Sequence, residues 1–342
     1  MKKITLYFLA ISAILMIAAC AKDVAGGPND GNKRYMDAWM HLYNQRNNTN
    51  IQPSGLGIYI LDEKEGRGAT ITDNGYAFVE CTTTDLEGNI TGYTSAEVAK
   101  QLGEHSKVKY YGPTIWLTMD STIPAGLQDA LVGMKVGGYK KVIVPSWLMS
   151  YSTYETGAEY LNQSADYSPT VYEFTVKDFT DSIEVWQIDS IKRYITKNYG
   201  SLDQFSNDTT GFYYKQLAAP ESDEAFSSDT TIYINYVGKL LNGLVFDTNI
   251  ERVAKDNNLY SSDRTYGPVL INWKKDHNDI TMGSEASSVI GGFSMTLSKM
   301  KAMEKGIGIF YSSLGYGYTG SEPSIPPYAS LIFEIELVAK PE

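Results

Sequence analysis

The sequence predicts an α+β protein of two similar domains, each an antiparallel sheet wrapped on a short helix, joined by a helical linker. Three observations predict this fold: the length of the chain, a long-range internal repeat, and a strand-like run at the end of each repeat. The 342 residues are enough for about two domains of ~150 residues. Apolar residues make up 43% of the chain and charged residues 20%, which is ordinary for a globular protein.

The repeat relates residues 123–135 to residues 289–301 at a constant offset of 166. In both copies apolar residues recur at positions i, i+4 and i+7, which are Leu127, Leu131 and Met134 in the first copy. This spacing marks one face of a helix. Each copy is therefore predicted to contain one short helix with a buried face.

Strand-like and helix-like segments flank both copies in the same order. Apolar and polar side chains alternate over residues 172–176 and 331–337, which predicts strands with one buried face. Aromatic and aliphatic residues at helical spacing, around Trp39 and Ile191, precede the two copies, and the polar run 201–210 is the expected linker region. A single large domain is the alternative, and the repeat argues against it. The predicted boundaries are a tether with an N-terminal helix (20–52), a first domain (53–181), a helical linker (182–210) and a second domain (211–342).

The N-terminus predicts a targeting segment. Lys2 and Lys3 form a positive n-region, residues 4–17 form an apolar run, and small residues precede Cys20. The run is shorter than the ~20 residues that a spanning helix needs. The pattern resembles a bacterial lipobox, which implies a lipoprotein signal peptide over residues 1–19 and a lipid on Cys20; the alternative is a short membrane anchor.

A flexible tether is predicted to follow the lipidated cysteine. Residues 21–32 contain three glycines and a proline, a composition typical of flexible linkers. A multiply acylated Cys20 would hold the protein on a membrane, because each buried methylene contributes roughly 0.8 kcal/mol.

Composition excludes several classes of function. The net charge of −11 would repel a phosphate backbone, so no nucleic-acid partner is expected. With Cys20 lipidated, Cys81 has no disulfide partner and is expected to be buried. The three histidines (His41, His105 and His277) match no metal-ligand spacing, and no glycine-rich phosphate loop stands between a strand and a helix. We therefore expect no metal and no cofactor.

Five motifs follow one another in the second half of the chain. They are Y-V-G-K-L-L-N-G-L-V-F-D at 236–247, V-I-G-G-F at 289–293, M-K at 300–301, S-L-G-Y-G at 313–317, and I-P-P-Y-A-S-L-I-F at 325–333. In this order they resemble the signature segments of the FKBP family of peptidyl-prolyl cis-trans isomerases. The resemblance covers roughly residues 231–340, and five motifs in the order of the family are improbable by chance.

The resemblance implies a pocket that accepts a proline ring. Its catalytic residues would be Tyr236, Phe246, Asp247, Ile290 and Tyr316, and its substrate-binding residues Val289, Phe293, Ile325 and Phe333. In the family pattern the backbone N–H of Ile290 and the hydroxyl of Tyr316 hold substrate carbonyls, and Asp247 lies at the pocket edge. Considered singly, the three phenylalanines could be ordinary core residues, and Asp247 could be a capping or salt-bridged carboxylate.

The resemblance also implies partners and a location. Clients would be proline-containing polypeptides, exported or resident in the cell envelope, and macrolide-type ligands are candidates. The lipid on Cys20 would anchor the protein in the cell envelope, on the periplasmic or the surface face of the outer membrane. Two alternatives remain open: an FKBP-like chaperone or binding lipoprotein with little or no isomerase activity, and a structural partner in an envelope complex.

The sequence departs from the family pattern at several positions of the second domain. Phe293 replaces the tryptophan that forms the pocket floor in many members, and Ser321 and Ser324 fall in a loop that often has larger or apolar residues. The segment 250–283 is longer than usual and includes Trp273. These departures concern the size of the floor and the shape of one wall.

The first copy has lost the motif residues. The position that matches Tyr236 falls near Cys81, Thr91 and Gly92 stand where Phe-Asp is expected, and Leu127 replaces the aromatic floor. The first domain is therefore predicted to be an FKBP-like fold with a degenerate site, with a role in spacing, client contact or self-association.

Overall fold

Two antiparallel sheets form the framework of the protein, a six-stranded sheet in the first half of the chain and a nine-stranded sheet in the second. The computed structural model describes residues 27–119, 121–163, 166–222, 224–226 and 228–341. The predicted α+β class with two antiparallel sheets is confirmed. The predicted signal peptide and the predicted lipid site at Cys20 lie outside the described residues.

The first sheet has the strand order β1-β5-β6-β2-β3, and β4 also pairs with β2. The elements in chain order are α1 (Asp30–Asn47), β1 (Tyr59–Lys64), β2 (Tyr76–Thr84), β3 (Ile90–Tyr93), α2 (Ala96–Gln101), β4 (Thr114–Leu117), α3 (Ala125–Leu131), β5 (Tyr139–Val144), α4 (Gly157–Leu161) and β6 (Thr170–Thr180). Helix α3 is the predicted helix of the first copy, and Leu127 and Leu131 lie in the core of this half.

The second sheet has the strand order β13-β12-β11-β9-β15-β14-β8-β7, and β10 also pairs with β9. The elements are α5 (Ile183–Tyr199), β7 (Ser206–Thr209), β8 (Phe212–Ala218), β9 (Thr230–Leu240), β10 (Val245–Thr248), α6 (Glu251–Asp256), β11 (Val269–Trp273), β12 (Thr281–Met282), β13 (Ser287–Ser288), α7 (Gly291–Lys299), β14 (Lys305–Phe310) and β15 (Leu331–Val338).

The two sheets share one topology, as the internal repeat predicts. The order β1-β5-β6-β2-β3 recurs as β8-β14-β15-β9-β10, and β4 and β11 occupy equivalent places beside β2 and β9. Backbone register agrees with this correspondence. Cys81 pairs with Phe174 in the first sheet as Tyr236 pairs with Ile335 in the second.

The polar segments expected outside the domains are partly structured. Helix α1 begins at Asp30, inside the predicted tether 21–32, and buries Met36 and Met40 in the first core. Its preceding residue, Asn29, is 1% exposed, and its side-chain amide donates to the carbonyl of Gln163 at 2.6 Å. The expectation of a flexible tether is therefore wrong for the residues from Asn29 onward, because a buried amide fixes the start of the helix.

The predicted linker also belongs to the second core. Helix α5 packs Ile191 and Ile195 against Ile307, Ile309 and Ile332 of the second sheet. The last part of the linker range forms strand β7, which pairs with β8. Residues 206–209 of the predicted linker region therefore belong to the second sheet.

Helix α5 also contacts the first domain at its N-terminal end. The Trp186 ring stacks on Phe78 at 4.0 Å between centroids, and its indole N–H donates to Asp178 at 2.8 Å. The next residue, Gln187, is 2% exposed and accepts the backbone N–H of Ser312 at 2.7 Å. The helix therefore bonds to both halves of the chain. Within the described ranges, no helix has the length and apolar character needed to cross a bilayer.

Candidate prolyl-binding cup of the second domain

The hairpin of β9 and β10 positions the first three predicted site residues. Burial alternates along β9, so that Tyr236 points into the core between Ile234 and Gly238, which are also buried on this strand. A bulge between Val245 and Asp247 interrupts the pairing of β10 with β9. The extra residue of a bulge re-aims its side chains, and here Phe246 packs against the second core.

Gly238 is needed for this packing. A Cβ atom built on Gly238 would lie 2.7 Å from the ring of Phe246 and 3.0 Å from that of Phe333. Side chains do not approach Cβ atoms so closely. The glycine of the Y-V-G-K-L motif therefore lets two aromatic rings lie over the strand backbone.

Four aromatic rings pack together in one cluster, which is called the cup from here on and is defined by Tyr236, Phe246, Phe293 and Phe333. The ring of Phe333 lies 5.0 Å from Phe293, 5.6 Å from Phe246 and 6.2 Å from Tyr236. Most of these contacts are edge-to-face, the arrangement that aromatic quadrupoles favour. The predicted rings are thus brought together by strands β9, β10 and β15 and helix α7.

Helix α7 contributes the floor and one edge of the cup. Phe293 is 3% exposed and meets Tyr236 edge-to-face at 5.8 Å. Ile290 precedes the helix, and its carbonyl accepts the N–H groups of Phe293 and Ser294 at 3.0 and 3.2 Å. Among the residues the structure describes, none accepts the N–H of Ile290. That donor and the other free N–H groups at the start of a helix favour a carbonyl or anionic oxygen there.

The loop between β14 and β15 supplies Ile325 and Tyr316, and Val289 comes from the segment before helix α7. Ile325 is 4% exposed and belongs to the same apolar cluster as the rings, and half-buried Val289 packs against that cluster. Tyr316 is 39% exposed and lies at the rim. Burial and the charge of Asp247 raise the pKa of Tyr316, so its phenol keeps its proton at neutral pH and remains a donor.

A polar edge borders the cup beside Tyr236. Its hydroxyl donates to Oδ2 of Asp247 at 2.7 Å, and Arg264 donates to Oδ1 of the same carboxylate at 2.7 Å. Arg264 also donates to the Tyr236 hydroxyl at 3.2 Å. Burial, followed by the charge of Asp247, raises the pKa of Tyr236. Asp247 is therefore both a rim residue and a salt-bridged carboxylate.

Sequence reasoning missed two residues of this edge. Arg264 lies in the long segment 250–283, 17 residues after Asp247, where no spacing points to it. Asn249 is 1% exposed; its Oδ1 accepts the N–H of Tyr236 at 2.7 Å, and its Nδ2 donates to the carbonyl of Gly267 at 2.8 Å. Asn249 thus ties the long segment to β9 beside the cup. Trp273 of that segment is 6% exposed and is a core residue of the second domain.

The equivalent place in the first domain lacks this constellation, as predicted. The pairing of β2 with β3 sets Gly92 opposite Thr83, in the register that Asp247 has opposite Gly238, and leaves Thr91 at the bulge. Burial raises the pKa of the Cys81 thiol to about 11, so the group is protonated and weakly nucleophilic at neutral pH.

Comparison with known proteins shows what the second half of the chain is similar to. Residues 222–338 match the family model described as FKBP-type peptidyl-prolyl cis-trans isomerase. A probable FKBP-type peptidyl-prolyl cis-trans isomerase of Haemophilus influenzae is 31% identical over 129 residues, which are 38% of this chain and 42% of that protein. The isomerase FkpA of Buchnera aphidicola is 29% identical over 142 residues, 42% of this chain and 47% of that one.

The chain also matches solved structures. The match with the structure of the three FKBP domains of wheat FKBP73 covers 82% of this chain and 94% of the wheat chain, with 17% sequence identity and a TM-score of 0.28. The chain spans less than half the length of the two curated relatives named above.

Proposed function

We propose that the second domain, an FKBP-type peptidyl-prolyl cis-trans isomerase domain over residues 222–338, turns X–Pro bonds in polypeptide clients without covalent chemistry. One observation carries the proposal: Tyr236, Phe246, Phe293 and Phe333 form a single aromatic cup. Beside it, the N–H of Ile290 has no acceptor among the described residues. An apolar cup with a donor at its edge suits a proline ring and the carbonyl next to it.

The chemistry requires only that the twisted amide be favoured over the planar one. Rotation about the C–N bond faces a barrier of ~18–20 kcal/mol because resonance stabilises the planar form. Rings that exclude water deprive the imide carbonyl of solvent hydrogen bonds, which stabilise the more polar planar form. Interactions that are stronger in the twisted state than in the planar state lower the barrier. The N–H of Ile290 would hold the adjacent carbonyl in place during the turn.

The polar edge would act by its fixed charges. Asp247 is held on one side by Tyr236 and on the other by Arg264, so its carboxylate keeps one orientation at the rim. A preorganised charge needs no rearrangement as the imide charge distribution changes. Because burial and the Asp247 charge raise the pKa of Tyr236, its donor stays protonated at neutral and mildly alkaline pH.

Substitution of Phe246 tests the proposal. Phe246 is half-buried and packs against the second core, so Phe246→Ala removes one wall of the cup together with some core packing. We expect a drop of at least tenfold in the catalysis of a proline-limited refolding reaction. Phe179→Ala is the matched control, because Phe179 is equally half-buried but lies on β6 of the first domain; it should retain the activity of the unmodified chain.

Two further variants address the individual site assignments. Asp247→Ala removes the charge at the rim, and Tyr316→Phe removes the phenol that would hold a substrate carbonyl. If both variants isomerise the substrate at the unmodified rate, the assignment of these residues is wrong.

The alternative is binding of unfolded chains without useful catalysis. The replacement of a floor tryptophan by Phe293 favours it, because a smaller floor makes fewer contacts with the proline ring. A chain that suppresses aggregation of a proline-free client, and does not accelerate proline-limited refolding, would support this alternative against the isomerase.

The cellular setting is a further part of the proposal. We infer from the lipobox-like segment that Cys20 bears a lipid and that the clients are exported or envelope proteins. Incorporation of labelled fatty acid into the unmodified chain but not into Cys20→Ser would support lipidation. Recovery of the protein from the soluble cytoplasmic fraction, unlabelled, would contradict it.

A further inference from the structure

A segment of the first domain reaches across to the second. This arm, defined as residues 105–113, connects α2 with β4 and is held by its own side chains. The rings of His105 and Tyr111 stack at 5.3 Å, the Tyr111 hydroxyl accepts the N–H of Ser106 at 3.0 Å, and the ammonium of Lys109 lies 5.6 Å from the Tyr111 ring. Gly112 donates to the carbonyl of Thr94 at 3.1 Å. Most of these contacts lie within the arm, and the last one bonds it to Thr94 of the first domain.

Two hydrogen bonds join the arm to the loop that carries Tyr316 and Ile325. The backbone N–H of Tyr110 donates to the carbonyl of Pro323 at 2.9 Å. The hydroxyl of Ser324 donates to the carbonyl of Val108 at 2.6 Å, across 216 residues of sequence. The Tyr110 side chain also packs against the core of the second domain. Ser324, which departs from the family pattern, thus has a partner in the first domain.

Pro323 and Ser324, which bond to the arm, lie between the site residues Tyr316 and Ile325 of the loop. Ser321 and Ile325 exchange both backbone hydrogen bonds, at 2.8 and 2.9 Å, so Pro323 and Ser324 are within the turn that they close. Gly320 donates to the carbonyl of Tyr316 at 3.1 Å. A shift of the turn would therefore move Ile325 inside the cup and Tyr316 at its rim.

We propose that the first domain positions the substrate-binding loop of the second, with Ser324 and Tyr110 as positioning residues. The proposal rests on the proposed isomerase function of the cup. A hydrogen bond between uncharged groups makes a net contribution that shifts the equilibrium between the bonded and the released loop by roughly two- to tenfold. The binding-competent population of a loop scales apparent affinity by the same factor. The first domain, which lacks the motif residues of a site of its own, would thereby support the site of the second.

Ser324→Ala in the full chain is the decisive variant, since it removes only the hydroxyl that bonds to the arm. Ser321→Ala is its matched control. It deletes the same hydroxyl three residues earlier, and the Ser321 hydroxyl makes no hydrogen bond within the described part of the chain. Tyr110→Ala, which removes the packing contact, serves as a second variant. Two experiments are made: steady-state kinetics on an X–Pro tetrapeptide, which give kcat and KM, and measurement of the hydrogen-exchange rate of the Ile325 amide.

We expect KM to rise about three- to tenfold in Ser324→Ala while kcat changes less than twofold, and the Ile325 amide to exchange faster by a similar factor. Ser321→Ala should match the unmodified chain in both. Unchanged exchange, or faster exchange with an unchanged KM, would overturn the proposal. A full chain without any isomerase activity would refute the proposed function instead, and the exchange rates alone would then decide whether the arm holds the loop.

Discussion

Removal of a single phenolic oxygen separates the stability of the second domain from the function of its cup. Tyr236→Phe deletes a hydroxyl that donates to Asp247 and accepts from Arg264. Tyr214→Phe deletes a hydroxyl that donates to Glu304 in the same domain. The two tyrosines are comparably buried, at 5% and 8% exposure. The two variants therefore differ mainly in whether water can replace the lost hydrogen bond to the carboxylate.

The magnitudes follow from the exposure of the two carboxylates. A hydrogen bond to a charged group contributes about 1.5–3 kcal/mol when the partner cannot recover it. Glu304 is 2% exposed, so Tyr214→Phe should cost about 2–3 kcal/mol. The side chains of Asp247 and Arg264 are 38% and 40% exposed, so water can replace the lost donor and Tyr236→Phe should cost about 1 kcal/mol. A difference of 1 kcal/mol corresponds to about 4 °C in Tm for a domain of this size.

The functional order should be the reverse of the stability order. Tyr236→Phe frees the Asp247 carboxylate at the rim and should lower kcat/KM on an X–Pro peptide about three- to tenfold, whereas Tyr214→Phe should leave it unchanged below the Tm. Denaturant unfolding and a peptide isomerisation assay on both variants measure the two effects. Equal losses of activity, or a larger destabilisation by Tyr236→Phe, would refute the reasoning.

Three further predictions concern packing, thiol reactivity and alkaline stability. Gly238→Ala should cost about 1–3 kcal/mol of unfolding free energy and lower isomerase activity, because its Cβ would meet the rings of Phe246 and Phe333; unchanged activity would contradict that. Cys81 should react with a thiol reagent at pH 8 at least tenfold more slowly than an exposed thiol, because burial raises its pKa to about 11; equal rates in native and unfolded protein would disagree. Burial raises the pKa of Tyr172 to about 12, above the unfolded value near 10, so above pH 10 the unfolded state binds fewer protons and stability should fall between pH 10 and 12 while staying level below pH 9. Denaturant midpoints at pH 8, 9, 10 and 11 check this.

Much of the fold can be predicted from the sequence because apolar residues recur periodically within each copy of the repeat. The helix of each copy follows from apolar spacing at Leu127, Leu131 and Met134, and α3 spans the first two of these residues. The strand at the end of each copy follows from alternation, and β6 and β15 lie there. Burial of one face dictates both periods, so each is visible in a single chain.

The hydrogen bonds near the domain boundaries were not predicted, because polar composition does not distinguish an unbonded segment from a hydrogen-bonded one. Residues 201–210 are polar, yet Ser206–Thr209 pairs as a strand with β8. Asn29 lies in a glycine-rich stretch, yet its amide is buried against α4. Backbone and amide hydrogen bonds of this kind satisfy polar groups in any sequence context.

The sequence by itself determined the repeat, the order of the motifs and the aromatic residue types that meet in the cup. Only the tertiary structure showed which residues bond around the cup and its loop. Arg264 and Asn249 do so from within the second domain, and Tyr110 of the arm does so from the first. The physical reason is that a hydrophobic pattern records which face of an element is buried. The hydrogen bond between the N–H of Tyr110 and the carbonyl of Pro323 uses backbone atoms instead, and every non-proline residue has such an N–H and every residue such a carbonyl. Such contacts leave no periodic trace in the chain and depend on where the two halves come to rest.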